Sequence, residues 1–509
     1  MLAMALFAIE ALAHPLPVAD PETASMIASQ QRLSLPAAKN EVWEVVPLDD
    51  GWLLLGEGEE GPAVASFDQD FGLRWSRTLP EAGPGRPLDH AVTDDHAWLV
   101  YARRGTTALV GIPRAGSERP VERIEVARKS RQILGFEVAD NEGWLISGRR
   151  TALGGTQGVI TSFDLDGGRA KTVSSGLPKK SFYERLATTD EGAIELSAWS
   201  VKKRLRVQHL MTAKRGELSK RLTLQARDFE TPINPLSIQR QGFENGESIV
   251  VGSYADEVKG SRAQGLYMAH LDTKGNIRRT ETHSFTEMNH FFDHLSERRQ
   301  RRIAERLEKK KRKGDDIDLD VRFDVHQAVQ DEATGNVIVV GEAYYPVFET
   351  RTQTTTQMVN GRTVTTTTTI TEFRGFRFTH AVAVAFSPQG ELVWDASLSI
   401  GNVQSYAIKP HVRVTVDGDR ITMIYASRRK LFTRVFDAGT VVDDRKSQRR
   451  VDEEGEKVRR VRSTSIEPWT DEAFLAWGIQ KTDEGRVFVV ERLGPEDLDD
   501  EVSPASTPQ

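Results

Sequence analysis

The sequence predicts an all-β fold, a β-propeller of four-stranded antiparallel blades with a helical insertion and a long β-hairpin arm. The first observation is a cassette at residues 41–79, where four short apolar runs are separated by turn residues such as Asp49, Asp50 and Gly51. This pattern is typical of an antiparallel meander. The second observation is that the cassette returns about seven more times along the chain.

The interval between cassettes identifies the architecture. The turn that enters the second apolar run falls at residues 51, 97, 143, 192, 246, 335, 418 and 473. The steps between these positions are 46, 46, 49, 54, 89, 83 and 55 residues. Steps of about 45–55 residues match propeller blades, whereas separate β-sandwiches need about 100 residues each. Eight cassettes favour eight blades, and seven remain open if the second or the last cassette is only half a blade.

Aspartate and tryptophan recur at fixed positions of the cassette. Asp68 and Asp70 precede Gly72, and Asp164 and Asp166 occupy the same place in a later copy. These carboxylates are interpreted as caps of hairpin turns in which the glycine takes a positive φ, because a calcium loop needs more ligands and a distal glutamate. The tryptophans that recur at one cassette position are interpreted as inter-blade packing residues rather than a ligand box: Trp52, Trp98 and Trp144.

The first long step contains residues 285–320, which are rich in helix formers and predict a helix. Phe291 and Leu295 lie four residues apart on its expected apolar stripe. His290 and His294 have the same spacing and would share a helix face. They are either a weak candidate metal pair or packing residues at the start of an amphipathic helix.

The same insertion carries a dense positive charge. Between residues 296 and 313 there are ten Lys or Arg and three Glu, a local net charge of +7. Such a run can bind a phosphate-rich polymer, anionic lipid headgroups or an acidic partner. The alternative is a solvated helix neutralised by the aspartates at positions 315, 316, 318 and 320. The candidate binding residues are Arg298, Arg299, Arg301, Arg302, Arg306, Lys309, Lys310, Lys311, Arg312 and Lys313.

The second long step contains residues 344–380, in which threonine-rich runs flank Asn360 and Gly361. Asn-Gly is a strong signal for a two-residue hairpin turn. Threonine favours a strand because its β-branched side chain is conformationally restricted, and its hydroxyl group tolerates exposure to water. The sequence therefore predicts a two-stranded arm that projects from the sixth cassette. Thr354, Thr356, Asn360 and Gly361 are its candidate binding residues.

The two ends of the chain differ from the 41–495 repeat region. Residues 1–13 are mostly apolar and predict a signal peptide, with an ordinary N-terminal helix as the alternative because Glu10 interrupts the run and no basic residue precedes it. Residues 14–40 are an N-terminal segment, and residues 496–509 predict a disordered acidic tail. A periplasmic or secreted location is favoured over a cytoplasmic one.

The residue inventory excludes several kinds of site. The 509 residues include no cysteine, which excludes disulfides, thiolate metal sites and a cysteine nucleophile. A formal net charge of -6 gives no global attraction to nucleic acid. After residue 13 no apolar run approaches about 20 residues, so no transmembrane span is predicted.

The cassettes resemble known propeller repeats. Around Gly72 and Trp75, and again around Gly390 and Trp394, the sequence is similar to the outer-strand turn of quinoprotein-like and WD-repeat-like propellers. The quinoprotein-like repeats have a threonine directly before this glycine. Here threonine precedes neither Gly72 nor Gly390, and no cofactor is predicted. The strand at residues 340–345 and the threonine-rich hairpin resemble exported bacterial β-propeller repeat proteins. This resemblance implies an architecture rather than an activity.

The leading functional hypothesis is an exported, non-enzymatic propeller scaffold. It would present the basic helix and the arm to an unidentified protein or an anionic envelope polymer, as a monomer and without specific nucleic-acid binding. The alternative is a propeller enzyme of hydrolase or lyase type with its site at the central channel. No catalytic residue is predicted, because the chain has neither a Gly-x-Ser-x-Gly elbow nor a glycine-rich phosphate loop.

Overall fold

A computed structural model of the protein describes most of the repeat region. The described residues are 28–29, 32–37, 43–58, 61–79, 87–103, 106–114, 122–126, 133–150, 156–178, 180–189, 192–202, 205–256, 260, 262–313, 319, 321–359, 362–406, 408–427, 430–449, 458–461, 464–470, 473–482 and 485–494. The predicted signal peptide, the acidic tail, the Asn360-Gly361 turn and the aspartates at 315, 316, 318 and 320 lie outside them.

The chain divides into two compact units. The first comprises residues 1–224, 413–435 and 444–509, and the second comprises residues 225–412 and 436–443. Strands dominate both units.

The first unit opens with strands from the N-terminal segment, followed by two four-stranded meanders. The N-terminal strands are β1 (Ala28–Ser29) and β2 (Arg32–Pro36). The first meander consists of β3 (Glu44–Leu48), β4 (Gly51–Gly58), β5 (Gly61–Asp68) and β6 (Leu73–Thr78). The second consists of β7 (Asp89–Val92), β8 (His96–Arg103), β9 (Thr106–Pro113) and β10 (Glu122–Val126).

The next two meanders join into one eight-stranded sheet through a single pairing between Thr156 and Tyr183. The first half consists of β11 (Ile133–Ala139), β12 (Glu142–Arg150), β13 (Thr156–Asp164) and β14 (Arg169–Val173). The second half consists of β15 (Phe182–Thr188), β16 (Ile194–Lys202), β17 (Leu205–Lys214) and β18 (Glu217–Leu224).

The second unit begins with a 3₁₀ turn at Ala226–Asp228 and contains two sheets and a helix. Its first sheet consists of β19 (Asn234–Pro235), β20 (Gln239–Gly242), β21 (Ser248–Ala255), β22 (Gly265–Leu271) and β23 (Ile277–Ser284). Helix α1 spans Glu297–Lys313. The second sheet consists of β24 (Arg322–Gln330), β25 (Val337–Val359), β26 (Arg362–Phe386), β27 (Leu392–Ser399) and β28 (Gln404–Ser405).

Two further sheets complete the described chain. One is a meander of β29 (Arg413–Asp417), β30 (Arg420–Ser427), β31 (Lys430–Asp437) and β32 (Thr440–Arg449). The last sheet pairs β2 of the N-terminal segment with the C-terminal strand. Its C-terminal members are β33 (Arg460–Val461), β34 (Ser465–Pro468), β35 (Phe474–Lys481) and β36 (Arg486–Leu493).

Neighbouring sheets pack face to face through buried apolar clusters. Val46 and Leu53 of the first meander share a cluster with Leu99 and Val110 of the second. Comparable clusters join the second meander to the third and the third to the fourth. Consecutive four-stranded meanders packed in this way are the architecture of a β-propeller, so the predicted fold class is confirmed. The number of blades stays a prediction.

The turn aspartates and the recurring tryptophans have the structural roles that the sequence predicts, whereas the positive φ expected at Gly72 falls on Phe71. Six of the eight repeated apolar runs form the second strand of a four-stranded meander or sheet, whereas β21 and β35 each follow two short strands that both pair with them. The Oδ1 atom of Asp68 accepts hydrogen bonds from the backbone N–H groups of Asp70 and Gly72, at 3.0 and 2.7 Å. Asp164 caps its own turn through Gly167 at 3.0 Å. The recurring tryptophans are buried among residues of adjacent sheets: Trp52, Trp98 and Trp144.

Candidate functional site

The helical insertion starts as an anchored turn segment, residues 285–296, and not as a helix. Phe285 and Phe291 are completely buried, and their rings stack with centroids 4.1 Å apart. The buried carboxylate of Asp395 accepts hydrogen bonds from the backbone N–H groups of Asn289 and His290, at 2.8 and 2.6 Å. The chain becomes helical only at Glu297. Core packing of Phe291 thus overrides the local helix propensity.

Because the helix begins only at Glu297, the prediction that His290 and His294 share a helix face is wrong. The Nδ1 atom of His290 lies 2.8 Å from the carboxylate of Asp293, and both side chains are exposed. His294 instead donates from Nδ1 to the Phe291 carbonyl at 3.2 Å and stacks on His380 with ring centroids 3.8 Å apart. Among the described residues, no group of three or more His, Cys, Asp or Glu is arranged to hold a metal ion.

Helix α1 displays the predicted cations along its exposed side. The helix has 17 residues and is about 25 Å long. Ile303 and Leu307 are half-buried on its inner side, with Lys310 beside them. The exposed cations that form no ion pair with any other described residue are Arg298, Arg299, Arg301, Arg302, Arg306, Lys309, Arg312 and Lys313. The side chain of Lys311 lies outside the described part of the structure.

The arm is a continuous two-stranded ribbon, as predicted. β25 and β26 pair from Val337↔Phe386 to Val359↔Arg362. The twelve residues of β25 beyond Val347 extend for about 40 Å. One face of this ribbon carries only threonine at four successive cross-strand pairs, two of which include the predicted Thr354 and Thr356: Thr350↔Thr371, Thr352↔Thr369, Thr354↔Thr367 and Thr356↔Thr365. All eight threonines are exposed.

A bulge at Gly375 marks the place where the arm leaves the sheet. The register shifts between Val347 and Phe348, opposite Gly375. Gly375 has a φ of 109°, and a Cβ atom there would lie 2.7 Å from the carbonyl oxygen of Ser405. Glycine thus lets the short strand β28 approach and support the base of the arm.

The base of the arm exposes aromatic rings that are not among the binding residues predicted from the sequence. Tyr345, Phe348, Phe373 and Tyr406 have exposed fractions of 42%, 59%, 40% and 62%. The Phe373 ring contacts the rings of Phe348 and Tyr406, with centroids 5.6 and 6.2 Å apart. For Tyr345, Phe348 and Phe373, the available sequence signal was an aromatic residue close to a threonine run, but no such signal marks Tyr406. We call these four residues the aromatic base.

The two insertions meet at a cavity of about 270 Å³ inside the second unit. The turn segment, helix α1, the irregular segment just before β24 and the base of the arm each contribute part of its wall. The lining residues are Phe291, Phe292, His294, Leu295, Ile303, Arg306, Leu307, Lys310, Leu319, Val321, Ala343, Tyr344, Tyr345, Thr379 and His380. Arg306 and Lys310 are therefore the predicted cations that the structure places beside the arm.

His380 is the most enclosed polar side chain of this wall, with an exposed fraction of 1%. Burial, and then the neighbouring His294, lower the pKa of His380 well below its usual range. Burial also lowers the pKa of His294. Both rings are consequently neutral near pH 7. Within the described part of the chain, the Nε2 atom of His380 has no hydrogen-bond partner.

A separate acidic pair lies in the first unit, on strands β7 and β11. Burial raises the pKa of Asp89 to about 6, and burial together with the Asp89 charge raises the pKa of Glu137 to about 7. Glu137 accepts a hydrogen bond from the hydroxyl of Thr188 at 2.9 Å. Beside them, burial lowers the pKa of His90 to about 4. The sequence offered no means to select these carboxylates among the 74 Asp and Glu residues.

Comparisons with known proteins assign neither a family nor an activity to the chain. No protein-family model matches the sequence, and no curated protein matches it. Similar solved structures include the WD40 domain of Toxoplasma gondii coronin, at 7% identity and a TM-score of 0.38 over 94% of this chain and 90% of that chain. Another is the β-propeller domain of Myceliophteria thermophila Cps50, at 10% identity and a TM-score of 0.34 over 90% and 99% of the two chains.

A polysaccharide lyase, Uly1, is also similar, at 10% identity and a TM-score of 0.40 over 80% of this chain and 90% of that chain. Similarity at this level assigns no activity to the chain.

Among the described residues, none of the helices has the length and apolar character needed to cross a membrane.

Proposed function

We propose that the protein is an exported, non-enzymatic β-propeller scaffold that binds an acidic polysaccharide through helix α1 and the aromatic base. The observation that carries this proposal is the row of eight exposed cations on α1 that form no ion pair with other described residues. The apolar stretch at residues 2–13 supports export, and the monomeric state is part of the proposal.

A polymer suits this surface better than a small anion does. The cations are spread along about 25 Å, so one small ion would contact only a few of them. A chain with regularly spaced carboxylates or sulfates can contact many at once and release its condensed counterions, as other polyelectrolytes do. The local net charge of +7 favours a negatively charged partner, although the formal net charge of the whole chain is -6.

The aromatic base supports a sugar polymer in particular. Phe348 and Tyr406 expose more than half of their surface, which is unusual for large aromatic side chains in water. Exposed rings with apolar faces offer flat contact area at low entropic cost. Arg306 and Lys310 line the cavity that Tyr344 and Tyr345 also line, so cations and rings lie in one region.

The test is binding of the full chain to alginate, with neutral dextran as the control polymer. Charge reversal at Arg298, Arg302 and Lys309 (each→Glu) should weaken alginate binding by about tenfold or more and reduce its salt dependence. The matched control reverses three exposed lysines of the first unit, Lys180, Lys202 and Lys214, and should retain binding. Unchanged affinity in the α1 variant, or no binding of alginate by the wild type at physiological salt, would overturn the proposal.

A second comparison separates a polysaccharide from an acidic protein. The double variant Phe348→Ala and Phe373→Ala should bind alginate about tenfold more weakly, because it removes ring contacts, but should bind polyglutamate as the wild type does. If wild-type protein prefers polyglutamate and the variant loses nothing, the partner is an acidic polypeptide and the polysaccharide assignment is wrong.

A further inference from the structure

We infer that the cavity between α1 and the arm binds a hydroxylated medium-chain carboxylate, such as a 3-hydroxy acid with an alkyl tail. This small-molecule site goes beyond the polymer-binding function proposed above and does not depend on it. Its wall is built from three chemically distinct parts, and each part fits one part of such a ligand.

The first part is apolar and holds the alkyl tail. Phe291, Phe292, Leu295 and Leu307 line the cavity. Phe291 is completely buried, and its ring is fixed by Phe285 and by an edge-on contact with His380 at 4.8 Å. A rigid apolar cavity of about 150 Å³ can hold benzene, so the volume of about 270 Å³ suits a longer chain.

The second part is cationic and holds the carboxylate. Arg306 and Lys310 both line the cavity and lie four residues apart on α1, so they project from successive turns of one helix face. The opposite wall adds no charge, because the lowered pKa values keep His294 and His380 neutral near pH 7. The positive end of the cavity is thus the helix side, and the ligand's anion is directed there.

The third part is a single hydrogen-bond acceptor that selects the hydroxyl group. The Thr379 hydroxyl donates to the Ala343 carbonyl oxygen at 3.1 Å, so its oxygen accepts the proton of His380 Nδ1 at 3.0 Å. This arrangement places the hydrogen of the neutral imidazole on Nδ1 and leaves Nε2 as an acceptor. That buried Nε2 has no partner among the described residues. A buried acceptor without a donor is costly, and a ligand hydroxyl would satisfy it.

The experiment titrates the full chain with 3-hydroxydecanoate and with decanoate by isothermal calorimetry. The wild type should bind both acids and should bind the hydroxylated acid about tenfold more tightly, as one additional hydrogen bond allows. His380→Phe keeps a flat ring but lacks Nε2. It should bind the two acids equally. Loss of the preference in this variant would support the assignment of Nε2.

A second variant tests the anion site and remains informative if His380→Phe does not fold. The double variant Arg306→Gln and Lys310→Gln alters two side chains that line the cavity. It should weaken the binding of both acids by about tenfold or more and leave the binding of decanol unchanged. The control Arg301→Gln with Lys309→Gln alters two exposed cations of the same helix that do not line the cavity. No saturable binding of either acid by the wild type, or equal binding by the Arg306/Lys310 variant, would overturn the inference.

The same variants separate this site from the polymer-binding surface. Arg298, Arg302 and Lys309 do not line the cavity, so their reversal should weaken alginate binding while fatty-acid binding persists. A result in which only one of the two ligands fails to bind the wild type therefore rejects one proposal and leaves the other standing.

Discussion

At the residue scale, the strained backbone conformation in the turn between β5 and β6 falls on a residue that the sequence pattern does not indicate. The residue with positive φ is Phe71, at 65°, and not Gly72. Gly72 is needed for space, since a Cβ atom there would lie 2.7 Å from the Asp68 carboxylate. The Phe71 ring is 1% exposed and contacts Trp52 and Trp469 edge-on, at 5.3 and 6.2 Å. Aromatic packing thus offsets an unfavourable backbone conformation.

Ionisation of the acidic pair lowers the stability of the folded protein at high pH, and a single substitution should remove this effect. The pKa of Glu137 in the folded protein, about 7, lies above its usual value of 4.5. The neutral acid is therefore favoured by folding, and this contribution to stability is present below about pH 4.5 and lost as the pH rises through 7. Glu137→Gln should raise the free energy of unfolding at pH 8 by about 2 kcal/mol relative to wild type, with little gain at pH 4.5.

Thermal unfolding at the two pH values measures this difference. Glu217→Gln, on the exposed side of β18, is the control and should show no pH-dependent gain. If the two variants respond to pH alike, the ionisation of Glu137 is not linked to folding.

At the element scale, the arm and the body of its two strands differ in what holds them together. Within the sheet, Val339 and Val384 pair at exposed fractions of 1% and contribute to the core of the second unit. Beyond Phe348, the side chains that the structure describes, at residues 349–356, 358 and 365–373, are exposed on both faces of the ribbon. The arm therefore buries little apolar surface, and its strands depend on cross-strand pairs and β propensity.

Shortening the arm should leave the sheet intact. Replacing residues 349–372 by Asn-Gly joins Phe348 to Phe373, which already face each other across the ribbon, by a two-residue turn. The melting temperature should change by only a few degrees, because no core contact is removed. Val339→Ala is the comparison in the same strand and should cost about 2 kcal/mol. Aggregation or a loss of stability larger than that of Val339→Ala would show that the arm is structural.

At the scale of the whole molecule, the two ends of the described chain share one sheet. β2 pairs with β36 from Arg32↔Glu491 to Pro36↔Val487. Leu33 and Leu35 enter a buried cluster with Phe488 and Val490, which also contains Trp52 of the first meander. This pairing completes the last sheet with a strand from the N-terminal segment, which lies outside the repeat region predicted from the sequence.

Weakening this closure should destabilise the first unit. Leu33→Ala with Leu35→Ala removes two buried side chains and should lower the free energy of unfolding by about 4 kcal/mol. Ser34→Ala, on the opposite face of β2, should be nearly neutral. Thermal unfolding combined with limited proteolysis of the C-terminal sheet measures both effects. Equal stability of the two variants would mean that β2 adds little to the sheet.

The sequence by itself determined the repeating unit of this protein and the places where it is interrupted. Apolar runs, turn residues and their spacing are local properties, and they predicted the strands, the Asp68 cap, the buried tryptophans and the threonine-rich ribbon. The basic helix was also predicted, although its first turn was placed too early. These features depend on residues that are near one another in the chain, so periodicity and turn chemistry are sufficient to find them.

Only the tertiary structure decided what the interruptions form together. The stacking of His294 on His380 joins residues that are 86 positions apart, and no local pattern links them. The cavity, the acceptor left on His380 and the raised pKa of Glu137 all arise from contacts between strands and segments distant in sequence. Such contacts fix burial, and burial sets hydrogen-bond satisfaction and charge state. The site is therefore a property of packing, whereas the scaffold that carries it is a property of the repeat.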